Sequence, residues 1–207
     1  RGELLTVTGA QTVDAHARLR EDARALDAAA RACDAVGRLF ETSEPHPGVF
    51  NLLCRTLQLL DQQAGAAGRV GAEGGGDGAA GADAGSDEPA SAVAPIAARA
   101  GALAFRLKLL LAAGLAPQLG SCASCGEREH LVGFSGAAGG VVCGACEAAS
   151  FPLDEHAYRF MADAVGTPLG EAPNASEPAL GQVERAIAAT LEHHANLRLM
   201  PAAARVG

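Results

Sequence analysis

The chain has 207 residues, with sixteen Lys and Arg against 24 Asp and Glu, giving a formal charge of −8. That balance argues against indiscriminate adhesion to nucleic acid, and no apolar run approaches the roughly 18–20 residues needed to span a bilayer. With no Trp and only 3% aromatic residues, any core has to be aliphatic. The charge is also unevenly spread: residues 64–94 hold one Arg and five acids, half of the net charge. The remaining segments are therefore nearly balanced and could present a basic face.

In chain order, Leu4–Thr8 and Gln11–Ala15 read as two strand-like runs on either side of Gly9-Ala10, too few to stand as an independent sheet. From Leu19 the period becomes helical, with Leu19, Ala23, Leu26, Ala30, Cys33, Val36 and Phe40 on one stripe. Cys33 is then a small core residue, as is Cys54 on the next helix. Thr42–Pro47 ends the first helix and opens a second, striped by Phe50, Leu53, Leu57 and Leu60. Two such helices form a hairpin that must bury its stripe against further helices.

Residues 64–94 are Gly, Ala, Asp, Ser and Glu with almost nothing to bury, and read as a disordered acidic loop. A third helix is expected over Pro95–Ala113, with Leu103, Leu107, Leu110 and Leu111 inward and Gly114 as its stop. Residues 115–119 are an extended lead. Beyond the cysteines described next, Asp154 caps a helix over 154–165 with Tyr158, Met161 and Val165 inward. Ser176 opens a last helix reaching about Leu199, striped by Leu180, Val183, Ile187 and Leu191. Asn174-Ala-Ser176 is a glycosylation sequon by pattern only.

The most informative stretch is Cys122-Ala-Ser-Cys125, seventeen intervening residues, then Cys143-Gly-Ala-Cys146. Two C-x2-C turns at this separation match a four-cysteine zinc site. Each turn brings two thiolates close enough to share an ion, and two turns complete a tetrahedron. Gly126 and Gly144 supply relaxed backbone at the turns. Between them, residues 130–135 and 139–142 read as a hairpin, making a zinc ribbon. Four cysteine ligands close the site, whereas a catalytic zinc keeps an open position. The deaminase H-x-E with its Pro-Cys, and the protease H-E-x-x-H, are both absent. His130 is a bystander to a filled site. No catalytic residue is expected, and the other readings of the cysteines are disulfides or a redox pair.

The string Phe105–Gly126, with its leucine-rich helix, Gly114-Leu-Ala-Pro117 turn and Cys122-x2-Cys125, resembles the bacterial recombination mediator family RecO. Gly139–Cys146 is similar to its second knuckle, Leu191–Leu199 to its closing helix, and Glu44–Leu53 to its second helix. Leu115 stands where an aromatic residue is common. The resemblance implies a mainly α fold: a helical bundle with an inserted zinc ribbon, preceded by remnant strands of an N-terminal OB-fold. The implied organisation is an OB-fold end over 1–18, bundle segments over 19–63, 95–119 and 151–207, the acidic loop over 64–94, and the ribbon over 120–150.

By the same resemblance, the expected role is DNA repair and recombination in the cytoplasm, without covalent chemistry. It includes binding single- and double-stranded DNA, strand annealing, and RecA loading with RecR and RecF on strands coated by single-strand-binding protein, whose C-terminal tail is contacted. One structural zinc would be held by Cys122, Cys125, Cys143 and Cys146. Arg106, Lys108, Arg128 and Arg198 are candidate DNA or partner contacts. His193 and His194 are expected in surface or packing roles. The alternative is a zinc-ribbon interaction module with no DNA binding of its own.

Overall fold

The computed structural model describes residues 8–40, 44–72, 90–148 and 150–202. Among the described residues there are six α-helices and a small sheet: α1 (Ala17–Glu21), α2 (Ala23–Leu39), α3 (Pro47–Ala72), α4 (Ala90–Ala112), α5 (Glu155–Gly166) and α6 (Glu177–His194). Strands β1 (Leu131–Ser135), β2 (Gly140–Cys143) and β3 (Phe151–Pro152) lie between α4 and α5 in the antiparallel order β2-β1-β3. The protein is mainly helical with a small inserted β ribbon, as the sequence leads one to expect.

The helix anticipated from Leu19 to Phe40 is split in two. Asp22 adopts an extended backbone, and its carboxylate accepts the Arg24 and Ala25 N–H groups, so a new helix starts there. The short α1 is capped from another helix: Asp61 of α3 accepts the Leu19 N–H at 2.9 Å.

The buried face of α2 also differs from the expected stripe. Ala25, Ala29, Ala32 and Ala35 point inward, while Leu26 is 47% exposed and Cys33 is exposed. The cause is local: small side chains occupy the close approach of α2 to α3, and in an alanine-rich helix two neighbouring stripes have nearly equal hydrophobicity. The same rotation occurs at the start of α3, where Val49 is buried and Phe50 is 65% exposed. Leu53, Leu57 and Leu60 pack inward as anticipated.

Helix α4 is central. Leu103, Leu107 and Leu110 join the larger core with α5 and α6, while Phe105 and Leu109 on the opposite side meet α2 and α3. A helix covered on both sides is apolar nearly all round, so a single-stripe reading misses Phe105 and Leu109 and misplaces Leu111, which is 51% exposed. Its end is well signalled: Gly114 has φ 71, and the Leu115 and Gly114 N–H groups return to the Leu110 and Leu111 carbonyls. That is a Schellman closure, with Leu115 packed on the core.

Three other expectations change. The helices run into the predicted acidic loop as far as residue 72 and from residue 90, because its Ala-rich ends favour helix; the remainder of that loop lies outside the described residues. No strand forms at Gln11–Ala15, where Val13 is 97% exposed and has no ladder partner to fix it; most of Leu4–Thr8 lies outside the described residues. Helix α6 stops at His194 rather than Leu199, because Asn196 turns into the left-handed region and the chain reverses. Its stripe of Leu180, Val183, Ile187 and Leu191 is fully buried.

Asp154 caps α5 by accepting the Ala157 N–H, and it also exchanges two hydrogen bonds with the Gln182 amide of α6. Replacing Leu107 by Ala should cost about 2–5 kcal/mol of unfolding free energy, against less than about 0.5 kcal/mol for Leu111→Ala. Urea titration of both variants checks which side of α4 faces the core.

Candidate metal centre

The first knuckle is a tight turn. The Gly126 N–H donates to the Cys122 carbonyl, and the Cys122 N–H to the Glu127 carbonyl. Gly126 sits at φ 81, a conformation costly for any residue with a Cβ. Gly144 needs no such freedom, contrary to expectation; it opens a single 3-10 turn, Gly144–Cys146, that carries the second knuckle off the end of β2. The first knuckle is tied to β2 by the Ala123 N–H, which donates to the Val141 carbonyl. Val142, with Leu131 and Ala138, packs beneath Cys122 and Cys143.

This backbone brings all four sulfurs of Cys122, Cys125, Cys143 and Cys146 within 4.8 Å of one another. The Cys125 and Cys143 sulfurs are 3.7 Å apart, far beyond a bonded pair at about 2.05 Å. Four thiolates at about 2.3 Å from one ion would stand about 3.8 Å apart along each tetrahedral edge. The donor set therefore fits a metal ion that favours soft ligands.

Electrostatics within the cluster point the same way. The Cys143 N–H leads the backbone donors that bring the Cys122 thiol down to about 6, against the opposing effect of burial. Cys146, facing first Cys125 and then Cys143, is pushed up to about 12. At Cys125 the Glu127 N–H favours the thiolate, but Cys122 and Cys143 outweigh it and the thiol is raised. By itself the cluster accommodates one thiolate readily and resists the next, so full ionisation calls for a cation.

The ribbon is seated on the bundle at both ends. The Tyr158 hydroxyl of α5 donates to the Leu119 carbonyl ahead of the first knuckle. At the hairpin tip, His194 lies 2.9 Å from the Gly136 carbonyl. A side chain at Gly136 would collide with the Ala189 carbonyl and His193. His193 and His194 are thus packing residues for the ribbon. Tyr158 carried no signal in the sequence beyond its place on an inward stripe.

The candidate cationic contacts fall in different surroundings. Arg106 is 6% exposed and donates to the Met200 carbonyl, with Glu184 at 3.9 Å. Burial lowers its pKa. It is an internal residue and not a surface contact: α4 is covered at that position by α6 and the segment that follows it. Lys108 is half-buried and donates to the Val165 carbonyl, capping the end of α5. Arg128 is exposed in the loop between the first knuckle and β1, where Glu127 accepts its N–H. Arg198 is exposed and paired with Glu192.

The family model described as Recombination protein O C terminal matches residues 94–200, covering α4, the ribbon, α5 and α6. The chain belongs to the RecO family. A DNA repair protein RecO from an Anaeromyxobacter species is 37% identical over 107 residues, which is 48% of this chain and 42% of that protein. The RecO of Alkaliphilus metalliredigens is 28% identical over 144 residues, 69% of this chain and 46% of the relative. A shorter match of 38 residues to the RecO of Lactobacillus delbrueckii subsp. bulgaricus is 55% identical. The chain thus spans under half the length of these RecO relatives. No solved structure matches. Among the described residues, no helix is long and apolar enough to cross a membrane.

A metal-free preparation titrated with Zn²⁺ near pH 7 should release at least two protons per ion, because Cys125 and Cys146 begin protonated. Affinity should fall as pH drops and protons compete for sulfur. A pH-indicator dye and calorimetry in two buffers of different ionisation enthalpy measure both effects.

Proposed function

We propose that this chain is part of a DNA repair and recombination mediator that binds DNA and partner proteins and performs no covalent chemistry. The observation that carries the reading is the match of residues 94–200 to the RecO family, together with relatives named DNA repair protein RecO. The finer role is binding of single- and double-stranded DNA and annealing of complementary strands. It extends to RecA loading with RecR and RecF, through contact with the C-terminal tail of single-strand-binding protein. Such work takes place in the cytoplasm, in association with the nucleoid.

Zinc is the ion we assign to Cys122, Cys125, Cys143 and Cys146. Four sulfurs close the coordination sphere, which suits a structural ion rather than a catalytic one with an open position. Its contribution would be to hold the ribbon together and fix the loop that carries Arg128. With Arg106 buried and Lys108 half-buried on the Val165 carbonyl, Arg128 and Arg198 are exposed cationic residues that serve as nucleic-acid or partner contacts. The formal charge of −8 makes any DNA contact local rather than a property of the whole surface.

The second reading, a zinc-ribbon interaction module without DNA binding of its own, is favoured by that same negative charge. Fluorescence anisotropy with labelled single-stranded DNA over a salt series separates the two. The first reading predicts binding that weakens with salt, and Arg128→Glu should reduce the log–log salt slope by about one. A zinc-loaded chain that captures RecR yet ignores DNA at low salt would establish the second. One that does neither would overturn both.

A further inference from the structure

Helix α3 buries one side and leaves the other uncovered. Asn51, Arg55, Gln58 and Gln62 are all exposed, and steps of four, three and four residues set them on one face of the helix. Phe50 stands at the edge of that face, 65% exposed. Among the described residues, the three amide side chains have no hydrogen-bond partner. Further along, Arg18 of α1 lies across the same face: a Cβ at Gly65 would collide with the Arg18 side chain. From Asn51 to Gly65 the face runs about 21 Å.

The arginines of this face differ from most others in the chain. Arg31, Arg38, Arg99, Arg106, Arg159 and Arg198 each face a carboxylate. Arg18 and Arg55 are exposed and, among the described residues, pair with none. Arg55 reaches toward Gly170, yet the adjoining Glu171 makes no ion pair with it, nor does Glu21 with Arg18. Asp61, the one acid of α3, accepts the Leu19 N–H, Asp22 caps α2, and Asp14 accepts the His16 N–H. In a chain of formal charge −8, two arginines left without carboxylates mark a place for an external anion.

We propose that this face of α3 binds single-stranded DNA, an inference that rests on the DNA-binding reading above and adds a site to it. Arg55 and Arg18 meet backbone phosphates. Phe50 offers a ring on which an unpaired base stacks. The amides of Asn51, Gln58 and Gln62 supply both donors and acceptors to base edges and sugars. Duplex DNA suits the face less well, because its bases are already stacked and leave Phe50 without a partner. An acidic peptide would pair with the arginines but has no need of the amide row.

The chain has no Trp, so Phe50→Trp places a single fluorophore at the edge of the face. Its emission should be quenched when oligothymidine is added to the zinc-loaded full chain. In anisotropy with dye-labelled oligothymidine, Phe50→Ala should weaken binding about fivefold or more and leave the salt slope unchanged. Arg55→Gln should lower the log–log salt slope by about 0.7, the share of one single-strand phosphate contact. Both side chains are exposed, and circular dichroism checks that the variants keep the parent fold. Oligothymidine that binds the parent, yet neither quenches Phe50→Trp nor loses affinity in Phe50→Ala, would overturn the α3 site and leave the DNA-binding reading standing. A parent that ignores oligothymidine would overturn both. Quenching of Phe50→Trp by an oligoglutamate peptide but not by oligothymidine would assign the face to an acidic partner and overturn the proposal as well.

Discussion

The structure depends on burying α4 from two sides at once. Leu103, Leu107 and Leu110 need α5, α6 and the ribbon; Phe105 and Leu109 need α2 and α3. Neither set can be covered by one neighbouring helix, so the chain must place elements from both ends of the sequence around the same rod. In a protein with no Trp and 3% aromatics, this helix supplies buried residues to both of the larger clusters. Its closure at Gly114 then aims the chain at the first cysteine knuckle. The position of the metal centre is thus a consequence of where α4 ends.

The ribbon has little core of its own. Val142, Leu131 and Ala138 form a small cluster under the cysteines, while Phe134 and Phe151, at a ring separation of 5.7 Å, join the core of the bundle. Arg185 of α6 lies over the Phe151 ring, Tyr158 holds the approach to the first knuckle, and Gly136 lets the hairpin tip press on the end of α6. A three-stranded sheet this small is marginal alone. The cysteine cluster and the bundle stabilise it from opposite ends, which gives the four sulfurs a fixed relation to α5 and α6.

Buried charge forms the third layer of organisation. Arg106 would be costly inside α4 without partners. It is accommodated by the Met200 carbonyl and the nearby Glu184, which Arg99 also engages. The seam that Arg106 creates fixes the segment that follows α6.

The sequence by itself determined whatever rests on short-range spacing. The two C-x2-C knuckles, the hairpin between them, the Asp154 cap, the Gly114 stop and the α6 stripe all depend on residues within a few turns of one another, and they stand where the pattern puts them. The tertiary structure alone decided which way an alanine-rich helix faces. Ala25 and Ala29 are inside and Leu26 and Cys33 outside because α2 approaches α3 closely, and no periodicity distinguishes two stripes of similar hydrophobicity. It also decided the fate of charges, since burial of Arg106 requires a carbonyl 94 residues away in the chain. Spacing encodes local geometry. Burial depends on what a distant part of the chain brings to the same place.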